Sequence, residues 1–144
     1  MTIEVREATI VDAEIVVEFI QMLAQSSHEH STVDPEYAIF YLTYPGNCVL
    51  LAERDGRVIG SLSYSVRPDL YHAGDCCMIE TLVVAEEARG HGAGAALLKE
   101  VLRRGGAAGW AEVSVSTMAD NQTALALYRR MGMTDEAVLL ERHF

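Results

Sequence analysis

Residues 77–98 read CMIETLVVAEEARGHGAGAALL, and this stretch decides the fold. Cys77 to Val84 is a β-branched and apolar run with the composition of a strand. Arg89-Gly90-His91-Gly92-Ala93-Gly94 follows, and then Ala95, Ala96, Leu97, Leu98, Val101 and Leu102 mark a helix predicted to stop near Gly105-Gly106. Glycine lacks a Cβ and permits positive φ, so Gly90, Gly92 and Gly94 let the backbone come close to a ligand. Where such a loop opens a helix, the free N–H groups and the helix dipole attract a phosphate or pyrophosphate, and Arg89 adds a positive charge at the edge. Three other readings compete. The glycines could serve a tight turn alone. A Walker loop requires Gly-Lys-Ser or Gly-Lys-Thr at the helix start, where this chain has Gly94-Ala95-Ala96. The dinucleotide fingerprint is formally met by Gly90-x-Gly92-x-x-Ala95 with Glu112 as the acidic partner. Its glycines should directly follow the first strand of a βαβ unit, however, and here Ala85 to Arg89 intervene after an antiparallel meander.

Upstream of this stretch, Val49 to Glu53 and Val58 to Val66 are strand-like runs joined through Asp55-Gly56, the pair that suits a tight hairpin. Pro68 to Gly74 reads as a connection. Ile3 to Arg6 alternates as a short strand, Thr9 to Asp12 resembles a capping box, and Ile15, Val16, Phe19, Ile20 and Leu23 recur at helical spacing. Ser26 to Gly46 reads as a loop and a second, shorter helix. Downstream, Val113 and Val115 mark a short strand, and Ala124, Leu127, Tyr128 and Met131 form one helix face that Gly132 would cap. Val138, Leu139 and Leu140 suggest a last strand. The predicted order is β-α-α-β-β-β-α-β-α-β, an α+β fold with a mixed, mostly antiparallel sheet and helices on both faces.

The 144 residues are expected to form one domain, 1–144, because half are hydrophobic and 22% are charged, a globular balance. No apolar run reaches the roughly 20 residues that cross a bilayer, and Met1 to Arg6 lacks the layout of a signal peptide, so no membrane association and a cytoplasmic location are expected. Cys48, Cys76 and Cys77 form no disulfide framework. No metal is expected either: Cys76-Cys77 lacks Cys-x-x-Cys spacing, and His28-Glu29-His30 has no evident partners in the sequence. The net charge is −10, with nine carboxylates against Arg6 alone in residues 1–53 and Lys99 the only lysine. Nucleic acid is therefore not an expected partner, whereas a cationic one is accommodated. The acidity could equally serve solubility alone.

Arg89-x-x-Gly92-x-Gly94 after a strand ending Leu82-Val83-Val84 resembles the acetyl-CoA signature of the GNAT N-acetyltransferase superfamily. Asn121-x-x-Ala124-x-x-x-Tyr128-x-x-x-Gly132-Met133 is similar to that family's later helix motif, with methionine in place of the more usual phenylalanine. The resemblance spans about Cys77 to Met133 and is weak over the first 45 residues. It implies an N-acetyltransferase with acetyl-CoA as cosubstrate and direct transfer to a primary amine in a ternary complex.

Aminolysis of a thioester needs a neutral amine, a stabilised oxyanion and a proton for the leaving thiolate. The resemblance makes Glu80 the general base, since several members place a catalytic glutamate at this strand position; the alternative is a glutamate facing solvent or an arginine. Tyr128 becomes the general acid, or else a core aromatic on its helix's apolar stripe. The backbone of Leu82, Val83 and Val84 would pair with the pantetheine arm and polarise the thioester carbonyl, and Arg89, Gly90, His91, Gly92, Ala93, Gly94 and Ala95 would hold the pyrophosphate. Asn121 would reach the cofactor or serve as an N-cap, and both roles are compatible. An acyl-cysteine route through Cys76-Cys77 is disfavoured, with only His72 near in sequence. The expected acceptor pocket combines the region before residue 46 with the loop from Arg67 to Asp75, where Glu29, Asp34, Glu36, Tyr37, Tyr41, Tyr44 and Asp75 suit a small cationic amine or a peptide amine. A homodimer pairing through the apolar C-terminal strand stays open, as do a non-catalytic acyl-CoA sensor and, beyond it, a dinucleotide-binding redox domain.

Overall fold

The computed structural model describes residues 2–144. Its sheet has five strands in sequence order: β1 (Glu4–Glu7), β2 (Asn47–Arg54), β3 (Arg57–Asp69), β4 (Gly74–Val84) and β5 (Glu112–Val115). The first four pair antiparallel, and β5 runs parallel to β4. Asp55 and Gly56 turn β2 into β3 with φ of 54° and 75°, the two positive values that a tight primed turn demands.

Four helices cover the sheet. α1 (Ala13–Ser26) and α2 (Pro35–Thr43) lie on one face, where Ala13, Val16 and Ala38 pack on Val49 and Leu51. α3 (Ala93–Ala108) lies on the other, its Leu97, Leu98 and Val101 meeting Leu50, Ala52 and Leu62. α4 (Gln122–Arg130) sits against the start of α3, where a Cβ at Gly94 would be 3.5 Å from Leu127 Cδ2. With both faces covered, Val49 to Ala52 are buried without alternation, which is why β2 reads as a continuous apolar run.

Local chemistry starts the first two helices. Thr9 N–H donates to the Asp12 carboxylate at 2.8 Å, holding a 3₁₀ turn (Ile10–Asp12) that leads into α1. Asp34 accepts from Tyr37 N–H at 2.8 Å with Pro35 in the first helical turn, so α2 begins on a capped, pre-set backbone.

The structure departs from the sequence-based expectations at three places. α3 does not stop at Gly105-Gly106 but continues to Ala108, with Gly109 at φ 73° as its cap. Gly105 instead makes room for Trp110, whose Cε3 would lie 2.8 Å from any Cβ placed there. Residues 68–74 are not a loop throughout: the β3–β4 ladder runs on to Asp69↔Gly74, leaving only a short turn. The last strand does not form, and Val138, Leu139 and Leu140 are 86%, 57% and 88% exposed. Apolar content makes a strand only where a ladder and a core receive it. Within one copy, the segment's side-chain tie to the body is Glu136 to Arg129 at 2.7 Å.

Candidate active site

β4 carries one residue more than β3 at its middle. Tyr64 pairs with Ile79 and Ser63 with Thr81, so Glu80 opposes nothing and forms a β-bulge. Bulges re-aim a side chain, and here the bulge sets Glu80 and Thr81 together on the walls of two adjoining cavities.

The first cavity, about 790 Å³, opens between α1, α2 and the sheet. Val16, Ile20, Val49 and Phe40 give it apolar walls, and Asp34, Glu36, Tyr37, Tyr41 and Glu80 give it acidic and phenolic ones. The Tyr41 hydroxyl donates to Glu80 Oε1 at 2.6 Å. Burial, and then this carboxylate, push the Tyr41 phenol far above its ordinary value, so it stays a proton-bearing donor. Next to the bulge, the Ser63 and Thr81 hydroxyls of the paired strands meet at 2.6 Å.

The second cavity, about 470 Å³, exists because β4 and β5 part company. They pair from Cys76↔Glu112 to Ile79↔Val115; beyond that β4 continues to Val84, its backbone unpartnered on the β5 side. Thr81 and Leu82 line one limb of the opening, Ser116, Thr117 and Met118 the other, and Asn121 and Tyr128 of α4 close it. Tyr128 is 8% exposed, and burial raises its hydroxyl pKa, which keeps the proton on at neutral pH. Asn121 Oδ1 accepts from Ala124 N–H at 3.2 Å, so the N-cap role expected from the sequence is filled while its amide nitrogen remains available to the cavity.

The glycine loop stands beside the end of β4. Gly90 and Gly92 take φ of 81° and 90°, and a Cβ at either would meet nothing within 4 Å. No side chain caps α3, so its first N–H groups keep their donors for an incoming anion. Arg89 Nε donates to Val84 O at 3.3 Å, which ties the loop's guanidinium back to β4; His91 is exposed beside it, and Ala93 is buried. Val84, at the end of β4, is thus a neighbour of the segment 89–95.

The acceptor candidates divide. Asp34, Glu36, Tyr37 and Tyr41 line the first cavity and Glu29 lines the second, while Tyr44 and Asp75 line neither. The whole of residues 67–75 lies away from both cavities, because the continued β3–β4 ladder carries that turn off beyond the start of β5. Sequence reasoning named Tyr41 only as an aromatic wall. Its contact with Glu80, 39 positions away, depends on the docking of α2 on the sheet, for which no local spacing gives a signal.

Solved structures with the same fold place the molecule in a class. An aminoglycoside acetyltransferase from an uncultured soil metagenomic sample, in complex with trehalose, superposes with a TM-score of 0.84 at 19% identity, covering 99% of this chain and 95% of that one. A ribosomal-protein-alanine N-acetyltransferase from Brucella melitensis biovar Abortus gives 0.83 at 17% identity, with 99% of both chains covered. A transcriptional regulator from Bacillus halodurans gives 0.85 at 23%, covering 99% and 100%. Comparison with curated protein sequences gives no match. The fold is that of the N-acetyltransferases. The chain belongs to the acetyltransferase (GNAT) family, whose sequence model matches residues 15–133.

Proposed function

We propose that this chain transfers an acetyl group from acetyl-CoA directly to a primary amine, with Glu80 as general base and Tyr128 as general acid. The observation that carries the reading is the position of Glu80 in the wall common to both cavities, one acidic and aromatic, the other lined by Leu127, which packs against Gly94 at the start of α3. A carboxylate there reaches an amine on one side and the acyl carbon on the other.

The cradle fits a phosphorylated thioester donor. Gly90 and Gly92 leave open space, the uncapped N–H groups of α3 suit a pyrophosphate, and Arg89 supplies charge at the rim, with His91, Ala93, Gly94 and Ala95 completing the segment. The free β4 edge at Leu82, Val83 and Val84 offers N–H and C=O groups to an extended amide chain. Acetyl-CoA supplies the activated acyl group. Glu80 accepts the ammonium proton directly or through water, backbone N–H groups of β4 stabilise the oxyanion, and Tyr128 donates its proton to the leaving sulfur. Direct aminolysis needs neither a metal nor an acyl-cysteine.

Asp34 and Glu36 in the first cavity favour a cationic amine, small or peptide-borne. The aminoglycoside and ribosomal-protein enzymes that share the fold support both classes as candidates. Three unpaired cysteines and the acetyl-CoA supply support a cytoplasmic setting. Pairing of two copies through the exposed Val138–Leu140 segment belongs to the same reading; a monomer by sedimentation at micromolar concentration would remove it.

Thiol release with acetyl-CoA and a panel of amines, run on wild type, Glu80→Gln and Tyr128→Phe, tests the reading after calorimetry has established that each variant binds the cosubstrate. Turnover on one amine, reduced about tenfold or more in both variants with affinity kept, is expected. Binding without turnover on any amine would leave an acyl-CoA sensor, and no binding would overturn the acyltransferase reading.

A further inference from the structure

The turn between β3 and β4 gathers side chains that acetyl transfer does not use. Asp69 ends β3, His72 sits in the turn and Cys76 lies near the start of β4. His72 Nδ1 is 2.7 Å from Asp69 Oδ2 and 3.6 Å from Cys76 Sγ. One ligand atom from each of the three lies within 4.8 Å of the others.

The three side chains are hydrogen-bonded to one another and also stand close to the spacing that a small cation requires. Tetrahedral zinc, with bonds of about 2.0–2.1 Å to nitrogen and about 2.3 Å to sulfur, holds its nitrogen and sulfur ligands about 3.6 Å apart. His72 and Cys76 already stand at that spacing, whereas the Asp69 oxygen must withdraw by roughly 0.6 Å to reach an equivalent position. His72 Nε2, the other ring nitrogen, is 3.5 Å from Glu112 Oε2. A histidine that ligates a metal through one nitrogen characteristically gives its other N–H to a carboxylate, which fixes the tautomer and the ring plane. Here β-sheet register delivers that carboxylate, because Glu112 is the partner of Cys76 across the β4–β5 pair.

We propose that the β3–β4 turn is a binding site for a borderline divalent transition-metal ion of the zinc class, held by the Asp69 carboxylate, His72 Nδ1 and the Cys76 thiolate, with Glu112 positioning the imidazole. Binding forms the metal–sulfur bond and releases the thiol proton to solvent; nothing is oxidised or reduced. Three protein ligands leave a fourth position for water. The turn is remote from both cavities, so the ion's work is to fix the projecting turn, where Leu70 and Tyr71 are 98% and 92% exposed, and not to enter the transfer reaction. The Asp-x-x-His-x-x-x-Cys spacing escapes a search for paired cysteines, which is why the sequence suggests no metal.

Cobalt(II) added to chelator-treated full-length protein tests this directly. One equivalent is expected to produce a thiolate-to-cobalt charge-transfer band and the visible bands of a tetrahedral site, all displaced by zinc(II). Cys76→Ser is expected to abolish the charge-transfer band, His72→Ala to weaken binding on the order of a hundredfold, and Glu112→Gln on the order of tenfold. His30→Ala, as a control at a histidine outside the cluster, leaves the titration unchanged. All of these side chains are at least partly exposed, so the variants keep the fold. No charge-transfer band in wild type, or one that survives Cys76→Ser, would overturn the proposal, and neither result bears on acetyl transfer.

Discussion

Tyr41 and Glu80 show how a residue acquires a role that its own sequence surroundings do not announce. The glutamate is legible as a candidate through the family resemblance, which implies a catalytic glutamate at this strand position. Its bulge is not, since the apolar residues of CMIETLVV occur in both positions of the alternation and hide the extra residue. The tyrosine is legible only as an aromatic on a short helix. With the hydroxyl 2.6 Å from Glu80 Oε1, Tyr41 holds the carboxylate oxygen toward the wall that the two cavities share. Tyr41→Phe keeps the ring and removes the donor. It is expected to lower kcat roughly tenfold while the KM for acetyl-CoA stays near wild type, in line with the worth of a hydrogen bond to a charged group. Steady-state kinetics with both substrates varied would check this, and an unchanged kcat would reduce Tyr41 to a packing residue.

At the scale of the element, the readings that held are those with a local cause. The Asp55-Gly56 turn, the Thr9 start, and the loop that opens α3 all follow from residues adjacent in the chain. The readings that failed depended on distant partners. Gly105-Gly106 carries the composition of a helix stop, yet the helix passes through because Trp110, five positions beyond Gly105, folds back against the hole that Gly105 leaves. Gly105→Ala would raise helix propensity and still cost stability, since its Cβ would meet the indole at 2.8 Å. A loss of about 1–3 kcal/mol is expected by urea denaturation. Gly106→Ala, with nothing within 4 Å of its Cβ, should be neutral or stabilising. A stabilised Gly105→Ala variant would mean that the tryptophan yields freely. Val138 to Leu140 failed for the related reason that an apolar run becomes a strand only when something pairs with it.

Across the whole molecule, acidity and architecture coincide. The acidic first third of the chain supplies α1, α2 and the segment between them, and these elements roof the first cavity, whereas the glycine loop with its arginine lies past the far end of β4. On the proposed reading, an amine would meet the acidic roof and an anionic donor the start of α3 with Arg89, on one molecule of net charge −10. For a polycationic acceptor, kcat/KM is expected to fall several-fold between about 10 mM and 150 mM salt, with a weaker change for a monoamine. Equal salt dependence for both amines would assign the acidity to solubility alone. The bulge in β4 acts on this same scale. Upstream of Glu80 the odd-numbered residues Cys77 and Ile79 share the α3 face with Val66 and Tyr64; downstream the even-numbered Leu82 and Val84 share it with Leu62 and Gly60. The strand changes step at one residue, and every pairing on either side is complete without that residue. Glu80 is a comma in the strand: the sheet parses the same whether or not it is there, so the architecture leaves the identity at that position free for chemistry to choose.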